Sequence, residues 1–127
     1  MPFDWAEYLR LAEELALRQD DEAARRSAIS RAYYAAYCQA CTYLNQKEVP
    51  IPHGEGSHDR VWKSFINLPG RTHSGIQANG DRLKRKRVLA DYNAQAVTSV
   101  QDVTSAIQVS KNILGWIAQV SGQSTSE

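Results

Sequence analysis

Arg31 and Arg87 each interrupt a run otherwise made for packing, and chemistry in this chain is most readily built from them. A guanidinium is charged at every working pH and offers five donors in a rigid fork that fits a carboxylate or a phosphate. Arg31 lies within Ser30-Arg31-Ala32-Tyr33-Tyr34-Ala35-Ala36-Tyr37-Cys38, where small Ala and large Tyr alternate as they do between closely packed helices. A cation on such a surface needs an anionic partner, because an unpaired buried charge is costly. Asp91 is expected to turn inward and neutralise Arg31 across a helix interface. The plainer alternative is a pair with Arg87, four residues before it on the same helix, worth a few tenths of a kcal/mol. Tyr92 lies about 140° around that helix from Arg87, so those two are not expected to share a face.

Arg82, Lys84, Arg85, Lys86 and Arg87 put five basic residues in six positions. Such a turn suits phosphates of RNA, DNA or a nucleotide; the alternative is a solvated helix face. No aromatic residue interrupts this run, so it does not suggest a platform for stacking bases. Charge is uneven along the chain, although the net is only +1. Residues 1–22 hold seven acids against two arginines, and from Arg60 to Arg87 eight basic residues face Asp81 alone. Cys38, Cys41, His53 and His58 follow a spacing close to that of a zinc finger. The cysteines, however, fall inside a strong helix and His53 in a loop, so reduced thiols packed on a helix face are expected, with no metal or cofactor.

The elements that would carry these residues are helices. Asp4 can cap a first one, with Glu7 as its capping-box partner and Trp5, Leu9, Ala12 and Ala16 as its stripe. A second runs from Asp21 to about Leu44 without Gly or Pro, and Ile29, Ala32, Tyr33, Ala36, Ala40 and Tyr43 mark its apolar face. Asn45 to Ser57 reads as loop. Ser57 can cap a short third helix through Val61, Trp62, Phe65 and Ile66. With Gly75 and Gly80 read as breakers, the fourth is expected from Asp81 to Tyr92 or Ala96. The fifth, about Thr98 to Val120, carries a seam at Val100, Val103, Ile107, Ser110, Leu114 and Ile117. Strand-like alternation is absent, so the chain is expected to be all-α: a four- to five-helix up-and-down bundle, one domain over 1–120, with a polar tail at 121–127. No apolar run approaches the roughly 20 residues that span a bilayer, and the acidic N-terminus does not read as an export leader, so a cytoplasmic location is expected.

Ser30-Arg31-Ala32-Tyr33-Tyr34-Ala35-Ala36-Tyr37, followed downstream by Arg87-Val88-Leu89-Ala90-Asp91-Tyr92, resembles the HEPN superfamily, in its branch with S-R-A-Y-Y-A and R-x-x-A-D-Y signatures. Ser57-His58 and the closing helix with Ala106, Ile107 and Ile113 fit the same pattern. The resemblance implies a helical bundle, often dimeric. Many members are metal-independent ribonucleases of toxin–antitoxin, defence or RNA-processing systems, often beside a small nucleotidyltransferase-like partner. Catalytic members pair an arginine with a histidine four to six residues later. Where many relatives show histidine, this chain has Cys38, seven residues after Arg31, and Tyr92, five after Arg87, and a thiol or phenol is a poorer proton shuttle at neutral pH than imidazole. His58 is a substitute if its loop folds back over Arg31 or Arg87; otherwise it is a surface residue at a helix start. Three functions follow. One is a homodimeric module that binds RNA or a nucleotide, or docks a partner, without cutting. The second is an endoribonuclease with a variant site of Arg31, Arg87, Asp91, Tyr92 and His58. The third is a structural or regulatory protein.

Overall fold

A computed structural model describes residues 2–51 and 53–122. Among them are five α-helices and one 3-10 turn, with no strand: α1 Ala6–Ala16, α2 Glu22–Gln46, α3 Ser57–Ser64, the 3-10 turn Phe65–Asn67, α4 Arg71–Tyr92 and α5 Val100–Val120. The chain is thus the all-α bundle that its periodicity predicts. The tail expected at 121–127 lies, beyond Gly122, outside the described residues.

The long helix α2 is the centre, with α1, α4 and α5 packed around it and α3 against α4. Asp21 caps its start by accepting a hydrogen bond from the Ala24 amide. Tyr43 near its end meets His73 near the start of α4, and Ser30 near its start meets Asp91 near the end of α4. Those two helices are therefore antiparallel. Arg25 on α2 reaches the Thr98 carbonyl just before α5, so α2 and α5 start at the same end of the bundle. Fully buried Ala28, Ala32, Ala36 and Ala40 let the neighbouring backbones approach, while Tyr33, Trp62, Phe65, Ile76, Leu83 and Ile113 fill the remaining volume.

Three boundaries differ from expectation. α4 begins at Arg71, ten residues before Asp81, because Gly80 is part of the packing and not a break. The Trp62 ring lies against its Cα, where any Cβ would collide. Burial of Ile76 on the added turns offsets the roughly 1 kcal/mol cost of glycine in a helix. The buried face of α5 is Val103, Ala106, Ser110, Ile113 and Ile117, rotated from the expected seam; Val100 is exposed, and Ile107 and Leu114 are half-buried. Its start is fixed by a capping box between Ser99 and Asp102. Before α1, the Asp4 carboxylate accepts from the Ala6 amide, while Glu7 pairs with Arg10 in place of the expected reciprocal bond.

Candidate functional site

Arg87 sits one turn from the end of α4, on the face that meets α2, and keeps only 7% of its surface exposed. Its guanidinium carbon lies 5.1 Å from the Tyr33 ring centre, 5.5 Å from that of Tyr34 and 5.7 Å from that of Tyr92. Aromatic faces attract a cation and more so when desolvated, so the tyrosine-rich segment of α2 makes a cradle for this charge. Asp91 approaches Arg87 at 3.6 Å, an ion pair rather than a close hydrogen bond, and accepts a hydrogen bond from the Ser30 hydroxyl at 3.1 Å. Arg87 Nε is buried with no hydrogen-bond partner among the described residues.

The expected Arg31–Asp91 pair does not form. Asp91 faces Arg87 and Ser30, while Arg31 lies one residue further around α2 and is turned toward α1. Its guanidinium stands 4.8 Å from the Tyr8 ring centre and 5.1 Å from that of Tyr34, with no ion pair among the described residues. It is half-buried, so water and two rings solvate it in place of a carboxylate. Tyr92 also departs from the expected geometry. Although its Cα is on another face, its ring swings back over Arg87 while remaining 76% exposed.

His58 is not the isolated surface residue of a helix start. Gly56, with φ +77°, turns the chain into α3 and sets His58 against α2. The imidazole stacks on Tyr37 with 4.0 Å between centres and 2° between planes, and Nδ1 lies 2.8 Å from the Tyr33 hydroxyl. Trp62 Nε1 donates to that same hydroxyl at 3.1 Å. An indole N–H can only donate, so the Tyr33 oxygen accepts from Trp62 and keeps its proton and a second lone pair for His58 Nδ1. Burial first, then the nearby cations Arg87 and Lys84, hold the His58 pKa below the usual histidine value. Burial likewise pushes the Tyr33 phenol well above its ordinary range, so it stays protonated.

The five-residue basic run is not a single patch. At 100° per residue it winds around the whole of α4, and its members are engaged locally. Lys84 pairs with Asp59 at 3.2 Å and Arg85 pairs with Asp81. Lys86 faces Asp102 at 3.9 Å, Arg82 donates to the Asn79 side chain, and Arg87 is buried. Asp81, Asp59 and Asp102 thus offset most of the charge that the sequence alone displays. Cys38 and Cys41 are free and half-buried. Burial, with Cys41 adding and Arg31 opposing, pushes the Cys38 thiol up to about 11, so it is protonated at neutral pH and a poor nucleophile or shuttle. Among the described residues no three His, Cys, Asp or Glu side chains gather to hold a metal ion.

Arg25 and Arg26 are engaged residues that sequence reasoning passed over. Arg26 donates to the carbonyls of Ala90 at 3.0 Å, Asn93 at 2.9 Å and Ala96 at 2.6 Å, closing the end of α4 that carries Arg87 and Asp91. Their only sequence signal was two cations in the first turn of a helix, where the dipole disfavours them. Comparison with family models, with curated proteins and with solved structures returns no match. No described helix is long and apolar enough to cross a membrane.

Proposed function

We propose that this chain is a HEPN-like module that holds the phosphate of RNA or a nucleotide at Arg87 and Arg31 without cutting it, in a toxin–antitoxin or defence type of system. The observation that carries the reading is the buried Arg87 guanidinium, with Nε unpartnered and its carboxylate at 3.6 Å. A buried donor left unsatisfied is costly, and a phosphate oxygen that displaces or joins Asp91 relieves that cost. The His58 ring beside it keeps Nε2 free of Tyr33 for a further polar contact. The test is fluorescence anisotropy of a labelled single-stranded RNA in chelator. Arg87→Gln should weaken binding at least tenfold while keeping the helical circular-dichroism spectrum. Equal affinity for both proteins would overturn the reading.

A second reading, a metal-independent endoribonuclease, draws support from the link between His58 and Arg87 through Tyr33. Attack by a ribose 2′-hydroxyl needs a base, an acid and a cation on the phosphorane, and imidazole with guanidinium are the groups for that task. Against it, burial and the nearby cations disfavour the imidazolium that a general acid needs. Cleavage of labelled RNA in chelator, abolished by His58→Gln, would establish the enzyme. Intact RNA would leave binding as the activity. The homodimer and the nucleotidyltransferase-like partner implied by the resemblance belong to the same proposal. Leu89, Tyr92 and Val97, exposed by 50%, 76% and 85% around the end of α4, support an apolar contact there.

A further inference from the structure

Arg31 is the hinge between two features far apart in sequence. On one side its guanidinium meets Tyr34, which also faces Arg87. On the other it meets Tyr8, which belongs to an aromatic group at the start of the chain. Phe3 and Trp5 stand 5.1 Å apart in a T-shaped contact, Phe3 and Tyr8 5.3 Å, and Trp5 and Tyr8 5.7 Å. Phe3 is 52% exposed and lies outside the hydrophobic core, as do Trp5 and Tyr8. The order from the chain start inward to α4 is therefore aromatic group, half-buried cation, aromatic ring, buried cation, with each neighbour within 6 Å of the next. Neither cation is fully matched: Arg31 has no ion pair among the described residues, and Arg87 is nine-tenths buried with Asp91 at 3.6 Å and an unpartnered Nε donor.

We propose that this strip is a track for single-stranded nucleic acid, running from the phosphate site at Arg87 over Arg31 to bases stacked on the Phe3, Trp5 and Tyr8 group. The inference rests on the phosphate-binding reading above and names its ligand as a single strand several nucleotides long. Alternation of guanidinium and aromatic face matches the alternation of phosphate and base. A duplex hides its base faces, and a mononucleotide reaches only the Arg87 and Arg31 end, short of the aromatic group. The carboxylate of Glu7 on the same helix is paired with Arg10, which limits repulsion of a phosphate.

The experiment measures anisotropy of a labelled oligouridylate of about eight nucleotides, against a duplex of equal length and uridine monophosphate as competitors. Tyr8→Leu with Phe3→Ala keeps apolar packing on α1 but removes two ring faces. The double variant should lose roughly tenfold or more in affinity for the oligonucleotide. Its affinity for the monophosphate should be unchanged, and Tyr8→Trp should retain strand binding. If the double variant binds the oligonucleotide like the parent while Arg87→Gln does not, the track is wrong and the phosphate site stands. If the parent binds neither oligonucleotide nor monophosphate, both fail. If the double variant changes only the sedimentation coefficient, the aromatic group is a contact between copies of this chain, and the track is overturned.

Discussion

His58 and Gly80 show how single side chains at this site are set by neighbours distant in sequence. The His58 pKa lies below its unfolded value because burial and two cations disfavour the imidazolium. Above the unfolded value, near 6.5, both states are neutral and its contribution to stability is full. As pH falls below that, the unfolded chain takes up a proton before the folded one, and stability is lost until the lower folded pKa is passed. Urea midpoints at pH 7.5 and pH 5 should therefore differ less in His58→Gln than in the parent. An equal difference would mean that the ring titrates as if exposed. Gly80→Ala sets a gain of up to about 1 kcal/mol in helix propensity against collision with a buried indole. The collision should win because the Trp62 ring, wedged among Tyr33, Phe65 and Gly80, cannot retreat. Net destabilisation of about 1–3 kcal/mol by urea denaturation is expected, and a gain in stability would contradict the contact.

At the scale of elements, the end of α4 is held by α2 more than by its own sequence. Asn93, the residue after Tyr92, leaves the helix with extended backbone, and no basic residue stands in the last turn. Arg26 supplies the missing cation from another helix and satisfies carbonyls that would otherwise face water. Arg26→Met should cost about 2 kcal/mol in urea denaturation, the scale of hydrogen bonds to a charged group. A loss below ~0.5 kcal/mol would mean that water serves those carbonyls equally well. The basic run of α4 gives the opposite lesson. Arg82 and Arg85, the exposed members, point away from Arg87 and are engaged by Asn79 and Asp81. Replacing both with Ala should leave RNA affinity within about twofold, whereas Arg31→Ala should reduce both affinity and salt slope. The reverse ranking would return the phosphate site to the basic run.

For the whole molecule, the arrangement puts acids and bases of the chain together within the fold. The acidic N-terminus and basic middle segment meet little: Glu7 and Glu14 pair with Arg10, while Asp59, Asp81 and Asp102 attend α4. The proposed site offers only Arg31 and Arg87 to phosphate, so binding to single strands should be only moderately salt-dependent. With two phosphate contacts, a log–log slope of about −1.4 is expected, at ~0.7 per phosphate. A slope several times steeper would mean that the basic run contributes after all.

The helices themselves were legible in the sequence, because hydrophobic periodicity is a local signal that the fold reinforces, whereas the caps at Asp21 and Ser99 were not read and Ser57 proved to follow the N-cap Gly56. The tyrosine-rich face of α2 was legible for the same reason. Gly80 read as a break because its reason, the Trp62 ring, lies eighteen positions away and leaves no local trace. Pairing was not legible either. Asp91 had two arginines within plausible reach, and only the rotation of α2 against α4 decided for Arg87 and left Arg31 to Tyr8. The sequence thus determined which side chains are cationic, aromatic or apolar and on which helix face they stand. Tertiary packing alone decided which charges are neutralised, since that depends on distances of a few ångströms between segments the chain brings together only when folded.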